Sequence, residues 1–208
     1  MGHREDLLEG AKRCLLEKGF MRTTARDIVK ESGTNLASIG YHYGSKDALV
    51  AQAFLALIED VGDAFSQQFL VDGASVAPAG SFERFQEVWE QVLGTFPESR
   101  GIWALNLEFV LLSDRMPGVR EVVVGAQSEG RKGLLPVFNG RPESELDAET
   151  IDTEGRFYQT ILNGLVVQWL FDPASATSPG RLTEGLRRVA DAAAQHPPAP
   201  RPTAREKG

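Results

Sequence analysis

Cysteine is nearly absent: Cys14 stands alone among 208 residues, so the chain closes no disulfide of its own and offers no cysteine-rich metal site. Histidine is scarce too, and His3, His42 and His196 are too scattered to form a zinc set. No apolar run approaches the roughly 18 residues that a membrane span needs, which argues against a membrane protein. Strand-like alternation is rare, and no repeat of roughly 20 to 50 residues is visible, so mostly-β folds and solenoids are not expected. Catalytic signatures are also missing. The chain has no G-x-S-x-G, no phosphate-binding glycine loop and no histidine clustered with carboxylates. Neither an enzyme nor a cofactor carrier is expected. The opening MGHREDLLEG contains acidic residues and no continuous apolar stretch, so it does not read as a secretory leader, and a cytoplasmic location is expected.

Positive charge is in short supply overall, with a net charge of −7, but its distribution is uneven. Residues 1 to 50 hold eight Lys and Arg against seven Asp and Glu, which leaves −8 on the remainder. An acidic body repels nucleic acid, so any such binding has to come from a few well-placed groups near the N-terminus and has to be sensitive to salt.

What is present is helical periodicity. Apolar spacings of three and four recur along the chain, and the fold expected is all-α. A first helix spans about residues 4 to 18, with Leu7, Leu8, Ala11, Cys14 and Leu15 on one face, and stops at Gly19. A second starts after Thr23 or Thr24 and ends at Gly33, and a third opens at Asn35 and closes near Gly44. After Ser45 a fourth runs from Lys46 to about Phe69, roughly 35 Å long. Past the DGASVAPAGS loop (72–81), further helices are expected at about 82–96, 100–113, 117–134, 147–171 and 179–195, with prolines at or beside the breaks. The domains that follow are a three-helix head over 1–47, a larger helical domain over 48–195, and a proline-rich tail over 196–208 expected to be disordered.

Residues 25–44 read ARDIVKESGTNLASIGYHYG, the spacing of a helix-turn-helix. Gly33 stands where the chain turns sharply. Ile28, Val29 and Ser32 on the second helix, with Leu36, Ile39 and Tyr43 on the third, are placed to lock the pair. Ala37, Ser38, Gly40, Tyr41 and His42 make a small or polar outer face, suited to a major groove about 12 Å wide. An ordinary helical hairpin in a core is the alternative, and it requires both faces of the third helix to be buried.

The stretch TTARDIVKESGTNLASIGYHYGSKDAL resembles the signature of the TetR family of transcriptional regulators, and the match covers residues 7–50 closely. The resemblance implies that Tyr41, His42 and Lys46 hold DNA phosphates and that Thr24 also meets the DNA backbone. Physical chemistry agrees for Lys46, a cation at a helix N-terminus whose N–H groups already favour anions. Base reading then falls to Asn35, Ala37 and Ser38, with Thr34 and Arg26 nearby, although Asn35 is equally placed to act as a helix cap. Val29 departs from the usual alanine of such motifs. Gly40 stands where many members carry an aromatic residue.

The resemblance further implies a ligand-responsive repressor that binds a palindromic operator as a homodimer and is released by a small apolar or amphipathic effector. The ligand cavity is then expected between the fifth and eighth helices, with Phe85, Trp89, Trp103, Asn106, Phe109, Gln127 and Tyr158 as candidate lining residues. Glu108, on the same helices, could pair with a cationic ligand, but a solvated or salt-bridged role suits it better. The last two helices resemble the family's dimer interface, which makes Phe157, Ile161, Leu165, Gln168, Trp169, Leu182, Leu186, Val189 and Ala193 candidates for sharing between subunits. The same residues also suit a core within one chain. Cys14, on the apolar side of the first helix, reads as a small core residue rather than a redox switch.

Overall fold

The computed structural model describes residues 2–71, 77–112 and 117–196. Residues 197–208 of the expected tail and 72–76 of the expected loop lie outside the described residues. The described elements are helical throughout, in keeping with the all-α reading.

The head follows from its apolar spacing and its caps. Helix α1 (His3–Lys18) buries Leu7, Ala11, Cys14 and Leu15, an i, i+4, i+7, i+8 stripe. Helix α2 (Ala25–Ser32) is started by a reciprocal pair: the Asp27 N–H donates to the Thr24 hydroxyl, and the Thr24 N–H donates to the Asp27 carboxylate at 2.9 Å. Gly33 ends α2 at φ 68° and ψ 20°, the left-handed conformation that a side chain disfavours. Helix α3 (Leu36–Tyr43) is capped by Asn35, whose Oδ1 accepts the Ser38 N–H at 3.1 Å. Helix α4 (Lys46–Val71) begins one residue after Ser45, whose hydroxyl oxygen accepts the Ala48 N–H at 3.0 Å. At Gly10 α1 lies close on α2: a β-carbon there would stand 2.8 Å from Ser32 Cβ.

Two apolar clusters organise the rest. The first joins Leu7, Leu15, Phe20, Ile28, Ile39 and Tyr43 to Leu49, Val50, Phe54 and Leu57 of α4, and extends to Leu105, Phe109 and Val123 of α6 (Phe96–Leu112) and α7 (Pro117–Asn139). The core of the head therefore continues through the first half of α4 and onto the body. The second cluster gathers Phe85, Val88, Trp89 and Val92 of α5 (Phe82–Gly94), Phe96, Leu134 and Phe138, and Leu165 and Val166 of α9 (Arg156–Phe171). A short helical turn, α8 (Ala148–Thr150), leads into α9, and α10 (Pro179–Gln195) packs against α5. Arg84, itself buried, ties α5 to the end of α7 by donating from Nε to the Val137 carbonyl at 2.8 Å.

Several boundaries differ from the sequence-based expectation. Helix α7 continues to Asn139 with Pro136 inside it, whereas the proline spacing suggests an end near 134. Burial of Leu134, Leu135 and Phe138, at 8%, 0% and 2% exposure, outweighs the hydrogen bond that Pro136 cannot make. Helix α6 starts at Phe96, because Pro97 falls in its first turn, where no amide hydrogen is needed. The helix expected over 147–171 contains a π turn at Ile151–Gly155, where a β-carbon on Gly155 would come within 3.2 Å of Arg131. None of the described helices is long and apolar enough to cross a membrane.

Candidate nucleic-acid interface and sensor body

The head presents α3 outward. Ile39 and Tyr43 turn into the core at 4% and 9% exposure, and the Tyr43 hydroxyl donates to the Arg4 carbonyl at 2.6 Å. Ala37, Gly40 and Tyr41 lie on the open side, with Tyr41 86% exposed and its ring edge-on to His42 at 4.8 Å. Leu36 belongs to this surface as well. The spacing places it in the lock between α2 and α3, yet it is 53% exposed, because it is the first residue of a short helix. Met21 in the α1–α2 turn is 71% exposed as well. No motif marks it, and its exposure emerges only from the folded turn.

The remaining DNA-contact candidates stand as follows. Thr24 and Arg26 are exposed at the start of α2. The Thr24 hydroxyl also donates to Asp27. Thr34 is half-buried, and its hydroxyl shares a 2.7 Å hydrogen bond with Ser32. Asn35 spends its side-chain oxygen on the Ser38 cap, so its amide N–H groups are what it has left for a base. Lys46 is partly covered, with Nζ 5.1 Å from the centre of the Phe20 ring and 3.2 Å from Asp47 Oδ1. Two ion pairs brace α1 against α2, Lys18–Asp27 at 2.7 Å and Arg13–Glu31 at 2.6 Å. The Lys18 ammonium, followed by the Thr24 donors, holds the Asp27 carboxyl well below the usual carboxylate range.

Phe20 connects this surface to the body. Its backbone N–H donates to Glu108 Oε2 on α6 at 2.7 Å, and its ring meets Phe109 edge-on at 5.0 Å. Phe109 in turn stacks on Phe54 of α4 at 4.0 Å. Glu108 is thus engaged with the head; it is not exposed and, among the described residues, forms no side-chain ion pair. Phe20 therefore touches α6 through Glu108 and Phe109 and lies under Lys46.

The seven candidate ligand residues do not share one space. Phe85, Trp89, Trp103 and Tyr158 belong to or pack on the second cluster, with Tyr158 stacked on Phe138 at 4.0 Å. Burial pushes the Tyr158 hydroxyl pKa up. Asn106 is half-buried on α6, and the Gln127 carbonyl accepts from Gln159 Nε2 at 2.9 Å. Phe109 is in the other cluster, fully buried between head and body. A cavity of about 90 Å³ touches Phe85 and Tyr158 and is completed by Gly80, Ser81, Phe82, Phe138 and Leu186. A wider cleft of about 590 Å³ lies between α4 and α7, lined by Leu55, Glu59, Glu121, Gly125, Ser128 and Glu129.

At the far end, α9 exposes an apolar stripe. Phe157, Val167 and Phe171 are 44%, 49% and 90% exposed, with Thr160 and Gly164 between them at spacings of three and four. Val189 of α10 is 68% exposed, and Gln168 and Ala193 are exposed too. Leu165 is instead 3% exposed inside its own subunit, and Ile161, Trp169, Leu182 and Leu186 pack on the same internal cluster. Both faces of α9 are apolar, so residue size alone could not tell the inward face from the outward one. The heptad-like run 157, 160, 164, 167, 171 carries the signal that could have.

A capped helix-turn-helix whose second helix is open to solvent, joined by a long helix to an all-helical body, defines a DNA-binding transcriptional regulator. The chain belongs to the TetR family: residues 7–53 match the family model described as bacterial regulatory proteins, tetR family, and residues 82–195 match that of the BetI-type transcriptional repressor C-terminal domain. It is 28% identical over 193 residues to the HTH-type transcriptional repressor AcnR of Corynebacterium glutamicum, covering 90% of this chain and 88% of that one. Its fold is similar to that of SCO7518 of Streptomyces coelicolor A3(2), described as a transcriptional regulator, with a TM-score of 0.67 and 20% identity over 90% of this chain and 97% of that one. It is also similar to the multidrug binding protein EbrR, solved with proflavin, with a TM-score of 0.63 and 21% identity over 90% and 99% of the two chains. The chain is thus a TetR-family transcriptional repressor and not an enzyme.

Proposed function

We propose that this repressor acts in the cytoplasm as a homodimer on a palindromic operator and is released by a small amphipathic effector bound in its helical body. The observation that carries this reading is the outward face of α3, where Ala37, Gly40 and Tyr41 are open to solvent between well-capped helices. In the proposed complex Thr24, Tyr41, His42 and Lys46 grip phosphates, and Asn35, Ala37 and Ser38 face base edges, with Arg26 and Thr34 beside them. The unit that reads DNA spans residues 1–47. The sensing and pairing unit spans 48–195, and residues 196–208 serve neither role.

Two copies pair through α9 and α10, with Phe157, Gln168, Val189 and Ala193 on the shared surface and Val167 and Phe171 added to it. Pairing places the two α3 helices in successive major grooves, about 34 to 36 Å apart. The cavity of about 90 Å³ is well below the roughly 300 Å³ that a drug-sized ligand occupies, so an effector has to part the helices that it enters. Motion of α6 then reaches Phe20 through Glu108 and Phe109, and changes the footing of Lys46. Reciprocal coupling of about 1 to 3 kcal/mol predicts that effector weakens operator binding roughly 5- to 150-fold.

The test is a gel-shift titration on DNA flanking the gene at several salt concentrations. Lys46→Ala should weaken binding similarly on every sequence and lower the salt slope by about one. An unchanged slope removes Lys46 from the phosphate contacts, and no retarded complex with any flanking DNA removes the operator reading.

A further inference from the structure

Among the described residues the body contains a cation without a counter-ion. Arg131 on α7 is half-buried, and among the described residues no carboxylate pairs with it, although Asp and Glu outnumber Lys and Arg by 29 to 22 in the chain. Its guanidinium is anchored at one end. Nη1 donates to Gln159 Oε1 at 3.2 Å, while Gln159 Nε2 donates to the Gln127 carbonyl at 2.9 Å, so the amide is oriented to offer its oxygen to the arginine. Arg131 Nε, by contrast, is buried and has no partner. Two other buried side-chain atoms share that condition among the described residues, Trp89 Nε1 and Trp103 Nε1. All three are donors. Buried polar groups are ordinarily paired, and unpaired buried groups of one kind call for the complementary kind.

Two of these donors belong to one aromatic cluster, and the third reaches its edge through Gln159, the chain neighbour of Tyr158. The Trp89 ring, fully buried, lies 5.3 Å from Phe138, which stacks on Tyr158, the chain neighbour of Gln159. Trp103 packs on the same cluster, 5.6 Å from Phe96. With Nη1 committed to Gln159, the guanidinium keeps its Nε edge for a planar, doubly accepting group, the geometry a carboxylate provides. A doubly charged phosphate is more costly to bring into such apolar surroundings.

We propose, resting on the effector-released repressor reading above, that the effector is an amphipathic carboxylic acid. Its carboxylate is held by Arg131, and its aromatic or acyl part lies against the rings of Trp89, Trp103 and Phe138. The α4–α7 cleft offers the opposite chemistry, but its carboxylates Glu59, Glu121 and Glu129 are exposed, and Glu129 is already paired with Lys132 at 2.8 Å.

The experiment uses the full-length chain and follows quenching of tryptophan fluorescence alongside operator release. The probes are benzoate, 2-naphthoate and decanoate, with 2-naphthamide as a neutral counterpart and proflavin as a cation. The expected result is saturable binding and operator release by at least one of the acids. 2-Naphthamide should bind more weakly than 2-naphthoate. Arg131→Met should weaken the bound acid by about thirtyfold or more, as truncating one partner of a buried charge pair does, with partial recovery in Arg131→Lys. Trp103→Phe, which shortens the aromatic wall and removes one N–H while keeping a ring, should weaken the same acid severalfold and covers the case in which Arg131→Met does not fold. The proposal is overturned if none of the three acids binds, if acid binding is indifferent to both substitutions, or if proflavin alone binds and releases DNA. Operator binding by the untreated protein is scored separately, so loss of this proposal leaves the repressor reading standing, and absence of operator binding removes that reading by itself.

Discussion

Replacing Glu108 by alanine takes the acceptor away from the Phe20 N–H, which donates to it across 2.7 Å at a residue only 5% exposed. A buried donor left without its acceptor costs about 1 to 3 kcal/mol. Glu108 is partly open to water, which can reach the vacated position, and this brings the expected loss to about 1 to 2 kcal/mol. Glutamine keeps the shape and one acceptor oxygen and gives up the charge, so it should lose about 1 kcal/mol, the difference between a charge-assisted and a neutral hydrogen bond. The predicted order of stability is wild type, Glu108→Gln, Glu108→Ala, read by urea unfolding followed by circular dichroism. Because the Phe20 ring underlies Lys46 at 5.1 Å and meets Phe109 at 5.0 Å, the same substitutions should weaken operator binding and blunt its response to effector. A loss of about 1.4 kcal/mol fully transmitted to the DNA-bound state is a tenfold change in affinity. If Glu108→Ala stays within about 0.5 kcal/mol of wild type, the range of an ordinary surface substitution, and binds operator equally well, then α6 does not act on the head through this contact.

Other consequences are as direct. Gly10→Ala places a β-carbon 2.8 Å from Ser32 Cβ, and overpacking of about 1 to 3 kcal/mol should exceed the helix-propensity gain of about 1 kcal/mol. Adding Ser32→Gly should relieve the clash, so the double variant loses less than the sum of the single ones in urea unfolding, and strict additivity contradicts the close approach. Cys14, 3% exposed and with its thiol pushed up by burial, should resist thiol reagents in the native protein and react on unfolding; rapid native labelling contradicts its place in the core. Asp27 has a folded-state pKa depressed by Lys18 and Thr24, so its contribution is complete above the unfolded value of about 3.9 and is lost as pH falls below it. The gap in melting temperature between wild type and Asp27→Asn should therefore be widest near neutrality and close in acid, and a gap independent of pH refutes the pairing.

Much of the fold was legible because local signals agreed with one another. Thr24 with Asp27, Asn35 and Ser45 are caps, Gly33 is a left-handed stop, and the 7, 11, 14, 15 stripe of α1 has one reading. What misled were prolines and doubly apolar helices. Pro136 and Pro97 are helix breakers only where an amide hydrogen is needed or burial does not compensate, and neither condition is visible locally. On α9 the large residues Leu165 and Trp169 turn inward while Phe171 turns out, a choice made by α5, α6 and α7 packing on one side. The link through Glu108 joins residues 88 positions apart and leaves no mark in the sequence. Arg131 is likewise unremarkable until its lack of a carboxylate partner is seen.

The most direct measurement is selection of bound duplexes from a random DNA pool by the intact protein. The account predicts enrichment of an inverted repeat whose half-sites are centred about one helical turn, 34 to 36 Å, apart, the distance at which two α3 helices enter successive major grooves on one face. Enrichment of a sequence without two-fold symmetry, or no enrichment at all, contradicts it.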